Sequence, residues 1–73
     1  MESFKRKQLI LKTCIDIENS NEIITIDTIF KRIDSKLTKQ IISSDIKTMN
    51  PVLIQSGKTF IITEKGRKLF ENA

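Results

Sequence analysis

The stretch from Val52 to Phe70 constrains the fold of this chain more than any other. Two short apolar segments, Val52-Leu53-Ile54-Gln55 and Thr59-Phe60-Ile61-Ile62, are separated by Ser56-Gly57-Lys58, and Thr63-Glu64-Lys65-Gly66-Arg67-Lys68-Leu69-Phe70 follows at once. Runs of β-branched and aromatic residues bounded by turn residues read as paired strands. A two-residue Ser56-Gly57 turn, with Gly57 at positive φ, sets Leu53 opposite Phe60 on one face and leaves Val52, Ile54 and Ile61 on the other. A hairpin apolar on both faces needs cover on both, from an edge strand, the last helix or a second subunit. Thr63 is placed to cap the final helix, whose inward residues are expected to be Leu69 and Phe70.

Upstream, the apolar spacing is helical. A first helix is expected from Ser3, as N-cap, to about Glu18. Phe4, Leu11 and Ile15 fall on one line, Cys14, Ile10 and Ile17 broaden the stripe, and Leu9 projects elsewhere. Asn19-Ser20-Asn21 ends that helix by turn chemistry. Glu22-Ile23-Ile24 is long enough only for an edge strand. Thr25 caps a second helix over Ile26 to Ile33, with Asp27 in its first turn and Ile26, Ile29, Phe30 and Ile33 inward. After an Asp34-Ser35-Lys36 turn, Thr38 is the better cap for a third helix and Ser35 the alternative. Ile42, Ile46 and Met49 share one arc of it, Leu37 closes that core, and Asn50-Pro51 stops it.

At 73 residues the chain is expected to be one domain over 1–73, with a core so small that oligomerisation would help it. Its one cysteine, Cys14, cannot form an internal disulfide and sits in an apolar pattern, as a buried side chain does. No apolar run approaches the ~18 residues of a membrane span, and Leu9-Ile10-Leu11 is broken too soon for a signal peptide, so a cytoplasmic protein is expected. The net charge is +4. Residues 1–30 hold four Lys/Arg against five Asp/Glu, whereas 31–73 hold nine against four. This asymmetry of −1 against +5 favours a polyanionic partner for the second half. Without Tyr or Trp, a base-stacking platform for single strands has little to build on.

The expected order, an α+β chain of helix-strand-helix-helix-strand-strand-helix, resembles the winged helix-turn-helix family of DNA-binding proteins over nearly its whole length. Thr25, Ile29 and Ile33, then Leu37-Thr38, then Ile42, Ile46 and Met49 follow the family's helix-turn-helix pattern. Gly57-Lys58-Thr59-Phe60-Ile61-Ile62-Thr63-Glu64-Lys65-Gly66 looks like the wing and following helix of small archaeal and bacterial regulators. The chain departs from the pattern twice. The turn between helices 2 and 3 is about two residues longer than usual, which allows another crossing angle, and Asn50-Pro51 replaces a common glycine.

The resemblance implies that helix 3 enters the major groove with the face opposite its core. With Ile42 inward and ~100° per residue, that face holds Gln40, Ser43, Ser44 and Lys47, edged by Lys39 and Thr48, with no carboxylate and no large apolar residue. Gln40 can bridge adenine, Lys47 can reach guanine or phosphate, and the serines allow close approach. Lys58 at the hairpin tip is placed to meet a backbone phosphate or the minor groove, Lys36 in the turn with Thr25 and Thr28 is expected near phosphates, and Thr38 is counted among the DNA-binding residues. Asp45 lies nearer the core and can pair with a Lys or Arg of helix 2. Lys65, Arg67 and Lys68 either add to the positive field or form a solvated helix face, the second reading being favoured.

Catalysis has little to work with: no histidine, no metal-spaced Cys/His set, no Gly-rich phosphate loop and no base beside the cysteine. No enzyme, cofactor or metal is expected, and no small-molecule effector is evident. The expected function is sequence-specific double-stranded DNA binding by a nucleoid-associated homodimer that represses transcription by occupying a promoter. The alternatives are a winged-helix protein-interaction module in a transcription, replication or repair assembly, and non-specific chromatin-type DNA binding.

Overall fold

A computed structural model of the chain describes residues 3–34 and 36–71, without the side chains of Phe70 and Glu71. The described residues form a small α+β unit of four helices and one two-stranded antiparallel sheet. In chain order these are α1 (Ser3–Asn19), α2 (Ile26–Arg32), α3 (Lys39–Lys47), β1 (Leu53–Ser56), β2 (Thr59–Ile62) and α4 (Glu64–Glu71).

α1 contributes Ile10, Leu11, Cys14, Ile15 and Ile17 to the core. α2, α3 and α4 all pack on it, so its apolar stripe is wide, and Leu9, expected to project elsewhere, is half-buried against that core. Phe4 is not inward: it is 68% exposed, because the α1–α3 contact closes at Arg6 and leaves the first turn beyond the core. Ser3 is itself helical and not the cap, so any cap falls outside the described residues. The helix stops as its turn residues require. Asn21 takes φ 60°, and the Glu22 N–H returns to the Ile17 carbonyl at 3.1 Å.

The strand expected over Glu22-Ile23-Ile24 is absent from the described structure. Thr25 is already committed to capping α2, so only the Ile24 carbonyl is left to accept from the Phe60 N–H, at 2.9 Å. Thr25 Oγ1 accepts from the Thr28 N–H at 3.1 Å, and Thr28 Oγ1 accepts from the Thr25 N–H at 2.7 Å, a reciprocal capping box. Ile29 and Ile33 face inward and Ile26 is half-buried. Phe30, expected inward, is 43% exposed; on a helix of seven residues it lies ~100° from the Ile29 line.

Thr38 is the cap of α3, accepting from the Ile41 N–H at 3.2 Å, while Ser35 lies outside the described residues. Ile42, Ile46 and Met49 are buried, with Leu37 packed against them. The helix ends at Lys47, three residues before Asn50, so the proline is not its immediate stop. The Thr48 N–H and hydroxyl both turn back to the Asp45 carbonyl, at 3.0 and 2.8 Å, tightening the last turn.

The hairpin register differs from the expected one. Leu53 pairs with Ile62, Ile54 with Ile61, Gln55 with Phe60 and Ser56 with Thr59, so the turn is Gly57-Lys58. The reason is local: with Gly57 first in the turn at φ 64°, Ser56 avoids a positive φ. Thr59 Oγ1 donates to the Ser56 carbonyl at 2.8 Å and supports this turn. Leu53, Phe60 and Ile62 consequently face the core, and Ile54 and Ile61 stand opposite each other on the outside, 48% and 54% exposed. Val52 precedes the strand and is half-buried.

Thr63 closes the hairpin onto α4. Its N–H donates to the Val52 carbonyl at 3.0 Å, and its Oγ1 accepts from the Gly66 N–H at 3.2 Å. Leu69 of α4, expected inward, is 49% exposed, while Gly66 is buried. A Cβ at Gly66 would lie 2.7 Å from the Val52 carbonyl oxygen. Phe70, the other expected inward residue, has its side chain outside the described set.

Candidate functional site

The cap at Thr38 and the buried line of Ile42, Ile46 and Met49 fix which side of α3 faces out. Gln40, Ser44, Lys47 and Thr48 are exposed and Ser43 is half-exposed. The arc is not a single surface, because it borders two hollows. Ser43 and Lys47 line a cleft of about 720 Å³ between α3 and the hairpin, whose far wall carries Gln55 and Lys58 and whose floor includes Ile26, Ile46, Leu53 and Phe60. Gln40 and Ser44 open instead onto a shallower hollow of about 270 Å³ shared with Arg6, Ile41 and Asp45. The tertiary structure thus brings Lys58 to Ser43 and Lys47, and sets Gln40 and Ser44 on the other flank.

The remaining expected contacts divide by what their side chains already do. Lys39 pairs with Asp27 Oδ1 at 2.7 Å and stands 5.4 Å from the centre of the Phe30 ring. The Asp27 carboxyl is held below the usual carboxylate range, first by the hydrogen bond from Lys39. Among the described residues, the only carboxylate lining the larger cleft is therefore already matched. The hydroxyl oxygens of Thr25, Thr28 and Thr38 accept backbone N–H groups in caps, and the Thr28 hydroxyl also donates to the Ile23 or Thr25 carbonyl, whereas accepting in its cap leaves the Thr38 O–H able to donate outward. Lys36 and Lys58 are exposed. On α4, Arg67 pairs with Glu18 of α1, and Lys68 lies 4.0 Å from Glu64.

Asp45 pairs with Arg6 of α1 and not with helix 2. Arg6 Nε and Nη2 donate to the two carboxylate oxygens, the second bond at 2.9 Å. Asp45 lies ~60° from Ile42 around α3, on the side where α1 packs, whereas Lys39, ~60° the other way, meets α2. The Arg6 hydrogen bond holds the Asp45 carboxyl below the usual range against the opposing effect of burial. Arg6 and Ile41 are the two residues of this surface that the sequence reading does not pick out. Ile41, 38% exposed, puts a large apolar group on the edge of a face expected to have none. Its position ~100° from Ile42 was the available signal.

Cys14 is buried, and burial pushes its thiol up to about 12, so the thiolate needed for nucleophilic or metal chemistry is scarce near neutrality. Among the described residues no group of three His, Cys, Asp or Glu side chains is placed to hold a metal ion, and no helix is long and apolar enough to cross a membrane. No family model, no curated protein and no solved structure matches the chain.

Proposed function

We propose that the chain is a winged helix-turn-helix domain that binds double-stranded DNA, with α2 and α3 as the helix pair and the β1–β2 hairpin as a short wing. The observation that carries this reading is the cleft in which Ser43 and Lys47 of α3 meet Lys58 of the hairpin. Its cations are unpaired among the described ion pairs, and its carboxylate is neutralised by Lys39. A major groove about 12 Å wide admits α3. Gln40, Ser43 and Ser44 then donate to base edges, Lys47 reaches guanine or phosphate, and Lys58 meets the backbone. Strands of four residues make the wing too short to enter the minor groove deeply.

The regulatory reading follows from this mode of binding: a small domain of this kind represses by occupying a promoter, within the nucleoid. Of the outward Ile54–Ile61 pair, Ile54 also lines the larger cleft, so Ile61 is the residue that supports a homodimer, whose two-fold axis would call for half-sites about one DNA turn apart. The same pair favours the second reading, a protein-interaction module. Gel-shift titration against random and genomic DNA at two salt concentrations separates the two. Contacts of Lys36, Lys47 and Lys58 with phosphates should contribute about −2.7 to the slope of log affinity against log salt. Absence of binding at low salt would overturn the DNA reading. A slope without sequence preference would reduce it to chromatin-type binding. Sedimentation at several concentrations reads the oligomeric state.

A further inference from the structure

On the reading above, phosphate contacts lie on the hairpin flank of α3. The opposite flank faces the first turns of α1, and there Arg6 grips Asp45 with a two-bond fork. Asp45 is buried, and a quarter of the Arg6 side chain stays exposed. A guanidinium has five N–H donors. Two are engaged by Asp45, which leaves three, including both on Nη1. Arg6, Gln40 and Ser44 line one hollow.

We propose that Arg6 forms a second phosphodiester-binding site, on the flank of α3 opposite Lys47 and Lys58. The proposal rests on the DNA-binding reading. A helix with its side chains is about 10–12 Å across, and the major groove is about 12 Å wide. Cations on both flanks of one helix are therefore spaced to meet the two phosphate strands that border the groove. Asp45 orients the guanidinium before DNA arrives, which lowers the rotamer freedom lost on binding. Because both carboxylate oxygens already accept from Arg6 and the group is buried, little negative surface is turned toward a phosphate. The free N–H groups can then make charge-assisted hydrogen bonds. In this arrangement Gln40 and Ser44 are held in register by a phosphate contact beside them, and not only by the distant hairpin.

The test is the salt dependence of DNA binding by the full chain, with folding checked by circular dichroism. Arg6→Gln combined with Asp45→Asn removes both charges together, so no unpaired buried charge remains and the net charge is unchanged. Arg6→Met combined with Asp45→Leu, which replaces the pair by apolar side chains, serves if the first double variant does not fold. Lys65→Ala, on exposed α4, is the control. Each site variant is expected to make the slope shallower by about 0.9 and to weaken all sequences alike, while the control keeps the parent slope. If the parent protein binds DNA and a folded variant without Arg6 retains its slope, this second site is overturned and the DNA reading stands. If the parent protein does not bind at low salt, both fall.

Discussion

Replacing Gly66 by alanine sets two opposing effects against each other, and the structure decides which is larger. Gly66 lies inside α4, where alanine is favoured over glycine by about 1 kcal/mol. The added Cβ would meet the Val52 carbonyl oxygen at 2.7 Å, Val52 Cγ1 at 2.9 Å and Ile62 Cγ2 at 3.3 Å. The side-chain atoms could yield. The carbonyl oxygen cannot move freely, because it accepts from the Thr63 N–H at 3.0 Å in the junction that joins the hairpin to α4. Overpacking of this kind costs about 1–3 kcal/mol, and a lost hydrogen bond adds about 1 kcal/mol. After the helical gain, Gly66→Ala should destabilise by about 1–3 kcal/mol, lowering Tm by roughly 5–20 °C in a domain this small. Thermal and urea melts followed by far-ultraviolet dichroism measure it. A Tm equal to or above the parent's would refute the close approach of α4 to Val52. An exposed glycine inside α4, such as Lys68→Gly, should lower stability by propensity alone, about 1 kcal/mol.

Gln40→Ala should reduce discrimination at one or two base positions by about 1–3 kcal/mol, whereas Lys58→Ala should weaken binding to all sequences similarly; identical behaviour in gel-shift competition would break the division between reading and backbone contacts. The Asp45 carboxyl is held below its unfolded value, so its stabilisation is present above about pH 4 and is lost as pH falls through the depressed value. Urea midpoints of Asp45→Asn should therefore fall below the parent's at pH 7 and converge with it near pH 2, and a gap that persisted in acid would point to packing instead of charge. Cys14, buried and with its thiol pushed up to about 12, should react with thiol reagents at pH 8 only after urea unfolds the chain; fast labelling of the native protein would contradict the burial.

The sequence by itself determined the local features of this protein. Thr25, Thr38 and Thr63 cap helices because a hydroxyl before an apolar run can accept from the first turn, and that chemistry acts over three residues. The burial of Leu11, Ile15, Ile29, Ile42 and Ile46 followed from 3–4 spacing alone, and Gly57 from the need for a positive φ. Only the tertiary structure decided what depends on neighbours distant in the chain. The turn at Gly57-Lys58 is an exception with a local cause, glycine in its first position, and that register set Ile54 against Ile61 outside. The Ile24 segment gives the sheet one hydrogen bond and not a strand. Phe4, Phe30 and Leu69, apolar on paper, stay exposed, with Lys39 of α3 over the Phe30 ring. Gly66 is a contact and not merely a helix residue. The candidate site divides in the same way. The exposed residues of α3 could be read from one wheel, because a helix fixes its own outward face. Their separation, with Ser43 and Lys47 toward Lys58 and Gln40 and Ser44 toward Arg6, depends on where α1 and the hairpin pack. Arg6 and Asp45 are 39 residues apart, and no local period connects them.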